Sequence, residues 1–566
     1  MKIMGCVLAG ALGVGVFAAC TPEEGGDGGD GVFLGENFNA VDTENEEKVI
    51  TEPTFSVSSD IQENAELFTP NSLFSDNMIL QRNAVTHIWG TTSAQAVAAR
   101  VDGNVYYGTV ENGNFSIWLA PHKEGSGYSL ELLSPQGKLT IENVCFGEVF
   151  LLSGQSNMAW RMSDNLEGDC GNHAGTYVPS VSEPTYEQWA GDSMERNNSI
   201  RKQVIDKLDA CEYENIRIYN VPIRSAGDAV YEDNIKKTDA GGSWQNSSAQ
   251  TMTNFSAVGC YFLTKLHELT GIPVGAVSAS LGATFVPTWM SEETYNANRG
   301  VCMYGGDRTA DAYNKAARCY NQYIYPILSF KFKSAVWYQG EGQPQYYADS
   351  MKALISGWRS EFGYELPFII IGLPRSGAYD VVPSGYASAG NDVGTVSSTM
   401  FESREQQKLI CSLEKVYLTV NVDVGDYDEE HPADKQPVGE RVAFKVMEAF
   451  YGTEGDWSAP ELVSAERGEE GVTLTFSNAG GGITVINESR NLEAAGTDGV
   501  YYPAQVVSAG EDGIIVTCDS VSEIVSIRYG YYNYPKLDRN NVKLYMSLFN
   551  ASGFPVDQFS VSLEEV

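Results

Sequence analysis

Ten residues, Val149-Phe150-Leu151-Leu152-Ser153-Gly154-Gln155-Ser156-Asn157-Met158, constrain this chain more than any others. Four apolar side chains in a row are too few for the core of a helix and read as a buried strand. The run breaks at Gly154, where a tight turn can present the next side chains beyond the sheet. Ser156 is thereby set at the carboxyl end of a strand, the end at which open α/β sheets bind ligands. A turn serine bonded to its own backbone has the same local sequence, so the choice between nucleophile and turn falls to the rest of the chain.

The pattern of elements changes on either side of this run. From residue 54 to residue 145, strand-like runs occur at Thr86-His87-Ile88-Trp89, Val97 to Val101, Phe115 to Leu119 and Tyr128 to Leu132. Asp102-Gly103-Asn104, Asn112-Gly113-Asn114 and Gly125-Ser126-Gly127 separate them, which predicts a small N-terminal β-sandwich-like domain. Over residues 146–455 strands alternate with helices, the mark of an α/β fold with a largely parallel sheet covered by helices. Strands are predicted at 272–280, 334–338, 368–371 and 416–422. Helices are predicted at 256–270, stopped by Gly271, and at 311–328, 348–362, 402–413 and 434–450. Residues 159–254, rich in Asn, Asp and Gly, break the alternation and read as an excursion over the active face, with one strand at Ile216-Arg217-Ile218-Tyr219. Residues 456–566 return to strands alone, at 472–476, 514–517 and 527–529, and form a C-terminal β region.

The formal charge of −37 argues against a nucleic-acid partner, because phosphates would be repelled. Residues 1–19 read as a targeting segment: Lys2, an apolar run from Cys6 to Phe17, then small residues. That run is too short to span a membrane. Phe17-Ala18-Ala19-Cys20 resembles a bacterial lipobox, which makes Cys20 the lipidated first residue of the mature protein and residues 20–53 an acidic, Gly-rich tether. The resemblance implies an exported protein held to the envelope only through its lipid, at the outer membrane and facing the surface. Cleavage after Ala19 without lipidation is the alternative. The cysteines beyond the signal lack CxxC spacing, so no metal site is expected. Export permits disulfides such as Cys170 with Cys211 or Cys302 with Cys319, although sequence does not give connectivity.

Three further strand ends carry residues able to meet Ser156: Gly282, Gln339-Gly340-Glu341, and the segment from Asp423 to His431. Parallel strands bring all these ends to one side of the sheet. Acyl transfer needs a nucleophile, a base, a group to orient the base, and donors for the oxyanion. Of five histidines, His87 lies in a strand pattern, His267 mid-helix, and His122 and His173 in loops with no strand end behind them. His431 follows a strand end and has Asp428 three residues before it, close enough to accept from one imidazole nitrogen while the other faces the serine.

Gly154-Gln155-Ser156-Asn157-Met158, Trp337-Tyr338-Gln339-Gly340-Glu341 and Asp428-x-x-His431-Pro432 together resemble the sialate O-acetylesterase family, a branch of the SGNH hydrolases. Leu73 to Gln81, Phe255 to Gly259, Pro437 to Arg441, Arg528 to Tyr531 and Phe549 to Pro555 extend the likeness over about residues 68–560. The resemblance implies a serine carbohydrate O-acetylesterase without metal or cofactor, acting on O-acetylated sugars, foremost sialic acids. Acetylated xylan or another plant polysaccharide is the alternative substrate, and a non-catalytic glycan-binding lipoprotein the alternative class. It implies Ser156 as nucleophile, His431 as base and then acid, and Asp428 as its orienting carboxylate. The oxyanion hole would comprise the N–H groups of Ser156 and Gly282 and the Gln339 amide. Glu341, Arg359 and Arg441 are expected to be structural. Trp160, Trp244, Trp289 and Tyr338 flank the motifs and either stack on sugar rings or pack in the core. Ala159, Ala283 and Gly342 depart from the family's usual Glu, Gly and Ser without removing a catalytic atom.

Overall fold

The computed structural model describes residues 37–57, 61–166, 186–222, 239–302, 314–341, 345–376, 398–425, 430–453, 457–486, 491–511, 513–531 and 546–563. Cys20, Cys170, His173, Gly342 and Asp428 lie outside them, as do the signal segment and the first half of the tether.

Eight strands come first: β1 (Phe68–Pro70), β2 (Ile79–Gln81), β3 (Thr86–Thr92), β4 (Ala98–Val101), β5 (Asn104–Glu111), β6 (Asn114–Leu119), β7 (Gly125–Ser134) and β8 (Gly137–Gly154). Neighbours β1-β3-β6-β5-β4-β7-β8 are antiparallel, and β2 runs parallel to β8. Two of the predicted turns close two-residue hairpins, with left-handed φ at Asp102 (46°), Gly103 (75°), Asn112 (52°) and Gly113 (78°). The third, Gly125-Ser126-Gly127, is no turn between strands. It lies within β7, whose pairing with β8 shifts register there, so the glycines mark a bulge.

β8 does not stop where the first β region meets the next. Its first half pairs with β7, and its second half enters a parallel sheet. The division drawn at residues 145/146 therefore falls inside one 18-residue strand. The parallel sheet is completed by β9 (Tyr213–Asn220), β10 (Trp244–Ser247), β11 (Val274–Ser280), β12 (Ser334–Tyr338), β13 (Phe368–Ile371) and β14 (Val416–Thr419). Their order is β10-β9-β11-β8-β12-β13-β14, with only β10 antiparallel.

Helices cover both faces: α1 (Ser156–Ala159), α2 (Tyr186–Asp209), α3 (Ala249–Thr253), α4 (Ala257–Thr270), α5 (Glu292–Ala297), α6 (Tyr347–Phe362), α7 (Ser398–Ile410) and α8 (Gln436–Val446). α4 shows why the sequence was readable. Ser256 caps it by accepting from the Gly259 N–H, and Gly271 ends it at φ 68°. Phe150 and Leu152 of β8 join the core under α2, α4 and α8, while Val149 and Leu151 join the core under α6. That alternation across one apolar run is the physical content of a strand buried on both faces.

Some expectations differ from the fold. Residues 159–254 do not merely pass over the sheet: they supply β9 and β10 at its edge and the 24-residue α2. The helix expected at 311–328 is, among its described residues, a π-turn at Tyr320–Ile324 and a 3-10 turn at Tyr325–Ile327, where Pro326 withholds a donor. β14 ends at Thr419, and Val420 and Val422 turn instead into the C-terminal core. That region holds two four-stranded antiparallel sheets, one built on Val472–Ser477 and Gly513–Thr517, the other on Leu492–Ala495 and Ser526–Tyr529. Cys302 and Cys319 are unbonded buried thiols, and Cys211 faces Cys260, with sulfurs 3.7 Å apart. Among the described residues no helix is long and apolar enough to cross a membrane.

Candidate active site

Ser156 is the first residue of α1, two residues beyond the end of β8. Gly154 makes the turn possible. Its φ is 128°, and a Cβ there would lie 2.2 Å from the Tyr338 carbonyl oxygen, so both conformation and space demand glycine. The turn is fastened to both neighbouring strand ends. Gln155 N–H donates to Tyr338 O at 3.0 Å, and Leu281 N–H donates to Gly154 O at 3.1 Å.

His431 meets the serine from the loop after β14. Its Nε2 lies 2.7 Å from Ser156 Oγ, so the hydroxyl donates when that nitrogen carries no proton. Several contacts hold the base loop. Arg441, on α8, grips Asp423 near the loop's start with two bonds of 2.7 Å. The Trp160 ring stacks on the imidazole, with centroids 5.1 Å apart and planes 16° apart. Trp160 Nε1 donates to Asn165 Oδ1 at 2.8 Å, and Asn165 Nδ2 donates to Ala433 O at 2.8 Å, tying the ring to the same loop. Trp160 is the one flanking aromatic that faces the site. Trp244, Trp289 and Tyr338 are core residues, at most 3% exposed.

The carboxylate that the structure describes nearest the imidazole is Glu430, with Oε1 3.9 Å from Nε2. Burial pushes its carboxyl above the usual range, with the Glu341 charge adding to the rise and His431 opposing it. With Nε2 committed to Ser156, an orienting carboxylate belongs on the Nδ1 side. Asp428, the residue expected there, lies outside the described residues.

Gly282 backs the serine: a Cβ on it would sit 3.3 Å from Ser156 Cβ. Gln339 is fully buried, and its Nε2 donates to Thr284 O at 2.7 Å, while its Oε1 has no hydrogen-bond partner among the described residues. The amide is thus joined to the same 281–285 loop as Gly282, with one N–H still uncommitted by that bond. Ala283, between Gly282 and Thr284, takes φ 56°. The usual glycine would be unstrained there, and alanine costs about 1 kcal/mol. Asn314 restrains the strained residue, donating to Ala283 O at 3.1 Å and accepting from Phe285 N–H at 2.9 Å.

The other described histidines sit elsewhere. His87 is stacked against Trp118, His122 packs on Phe146, and His267 bonds to Ile272 O at 2.6 Å. Among the described residues no three His, Cys, Asp or Glu side chains gather as a metal site would require. Sequence reasoning missed Asn157, Glu430 and Lys435 as members of the site. Asn157 and Lys435 stand inside or just after the motifs that supplied Ser156 and His431, which was the available signal.

No family model matches the chain. It is similar to the sialate O-acetylesterases of Mus musculus (23% identical over 387 residues, 59% of this chain and 63% of that protein) and Rattus norvegicus (24% over 441 residues, 67% and 73%). That of Homo sapiens is 21% identical over 509 residues, 82% of this chain and 87% of that protein. The match thus spans less than two thirds of the mouse protein's length. A carbohydrate acetylesterase from Xanthomonas citri shares the fold with a TM-score of 0.68 and 25% identity, over 88% of this chain and 100% of that one.

Proposed function

We propose, on the premise that this chain is a member of the sialate O-acetylesterase and carbohydrate-esterase family, that it is a serine esterase removing O-acetyl groups from sugars. The observation that carries the proposal is the 2.7 Å approach of His431 Nε2 to Ser156 Oγ at the carboxyl ends of parallel strands. A purely glycan-binding module has no need of that pair.

In this reading the architecture is of the SGNH type, with residues 146–455 as the hydrolase domain between the two β regions. His431 removes the Ser156 proton as Oγ attacks the acetyl carbonyl carbon. The N–H groups of Ser156 and Gly282 and the second N–H of Gln339 stabilise the oxyanion, each such donor being worth about 3 kcal/mol of barrier. The imidazolium then protonates the departing sugar oxygen, leaving an acetyl-enzyme. Water, deprotonated by His431, attacks that ester, and acetate leaves as the proton returns to Ser156. Asp428 orients the imidazole and offsets its positive charge. These steps need no metal or cofactor.

O-acetylated sialic acids are the first substrate class to test, given the names of the mammalian relatives. Acetylated xylan is the second, because Ala283, strained beside the serine, departs from the family pattern. Acetate release from a panel of both, with Ser156→Ala as control, decides between them. Acetate from one class, abolished by the substitution, supports the proposal; undiminished release by Ser156→Ala contradicts it. We place the enzyme on the cell envelope through Cys20, and Cys20→Ser should then leave the membrane fraction while remaining active.

A further inference from the structure

Three motifs meet in a buried polar cluster that the chemistry above leaves unused. Gln155 and Asn157 flank the nucleophile, Glu341 lies two residues after Gln339, and Lys435 four after His431. Asn157 is fully buried, Lys435 is 1% exposed and Glu341 6% exposed. Gln155 Nε2 donates to one oxygen of Glu341, and Asn157 Nδ2 donates to the other at 2.6 Å. The same Asn157 Nδ2 donates to the Glu430 carbonyl at 2.9 Å, and Asn157 Oδ1 accepts from Lys435 Nζ.

We propose that Asn157 is a positioning residue whose carboxamide sets the base loop against the nucleophile turn, and that Glu341 and Lys435 fix which way that carboxamide faces. The inference rests on Ser156 and His431 being the reacting pair. The Glu430 carbonyl belongs to the peptide unit whose nitrogen is that of His431, so the Asn157 bond holds the backbone from which the imidazole projects. Pro432 confines His431 to extended conformations from the other side. A carboxylate and a carbonyl only accept, and an ammonium only donates. A reversed amide would set its oxygen against two acceptors and its NH2 against a cation. One orientation is therefore enforced, in a place where water cannot substitute for a lost partner. The positive and negative charges flank one amide that sits beside Ser156 in sequence and reaches the residue beside His431.

The test is a double-mutant cycle on acetyl-ester hydrolysis, measured well below each variant's Tm. Asn157→Ala should lower kcat about 10- to 100-fold with KM changed less than about threefold, the scale of a slightly misplaced catalytic group. In a His431→Gln background the same substitution should change the residual rate less than about twofold, because no imidazole remains to be placed. Lys435→Met, which removes the cation at similar volume, should behave alike and serves if Asn157→Ala does not fold. Equal losses in both backgrounds, or no loss in the otherwise wild-type enzyme, would overturn the proposal, since a merely structural role lowers both rates alike. Full activity in Ser156→Ala would instead remove the underlying reading; an inactive Ser156→Ala with additive Asn157 effects would remove only this inference.

Discussion

The two halves of β8 are one strand under two sets of demands. Over Gly137–Val144 it pairs only with β7 in the main sheet; Glu142 is exposed and Lys138 and Thr140 half-buried, while Ile141 and Val144 are buried. Over Cys145–Gly154 every residue is buried, and from Phe150 onward parallel strands lie on both edges, with helical layers on both faces. The antiparallel half can keep a wet face, whereas the parallel half cannot. The buried half is also the one that ends at the candidate site, because its carboxyl terminus opens where neighbouring strands of the same direction end together. The two regions also differ in their histidines: His87, on β3 of the first β region, is stacked 4.2 Å from the Trp118 ring, and His431 stands against Ser156 beyond the buried half of β8.

The largest expected effect separates these histidines. His431→Gln should cut ester hydrolysis by roughly 10⁴-fold or more, as loss of a catalytic base does, whereas His87→Phe should leave kcat within about twofold. Rates on a simple acetyl ester at saturating concentration check both.

Next come two glycines with positive φ. Gly154→Ala should destabilise by about 3 kcal/mol or more, since a strained conformation and a backbone clash add. Gly103→Ala, at φ 75° with nothing within 4 Å of its Cβ, should cost only about 1 kcal/mol. Denaturant midpoints with unchanged slopes would measure the gap. Equal losses would mean that the buried half is no tighter than the hairpin turn.

A smaller and pH-dependent difference belongs to His87. Burial, aided by the Lys48 charge, pushes its pKa down from 6.5 to about 4. The folded state therefore resists protonation that the unfolded chain accepts. Its stability is whole above about pH 6.5 and falls as the pH drops toward 4, by up to roughly 3 kcal/mol. His87→Phe should shrink the loss of Tm between about pH 7 and about pH 4.5, and an unchanged loss would assign it to other groups.

Much of this was legible in the sequence because local signals agreed with the fold. The apolar run at Val149–Leu152, the cap at Ser256 and the stop at Gly271 each carry their own cause. Convergence of Ser156, Gly282, Gln339 and His431 followed from parallel topology alone. Other features depend on tertiary context. That β8 continues unbroken from one sheet into the next is invisible because its first half alternates and its second does not. The strand β9 is legible at Ile216–Tyr219, whereas β10, only four residues long (Trp244–Ser247) in a polar stretch, carries no alternation of its own. Asn157 reads as an ordinary polar residue after a turn, and only the fold shows Glu341, Lys435 and the Glu430 carbonyl around its amide. Ala283 departs from glycine without removing a catalytic atom, and only the fold shows its φ of 56°, a conformation that favours glycine.

Covalent labelling tests the central claim most directly. A fluorophosphonate reacts with a serine whose proton a neighbouring base can take, and peptide mapping by mass spectrometry locates the adduct. The account predicts one adduct per chain, on the peptide containing Ser156, with its rate of formation reduced by orders of magnitude in His431→Gln. An adduct on another serine, or unchanged labelling of Ser156 when His431 is replaced, would contradict it.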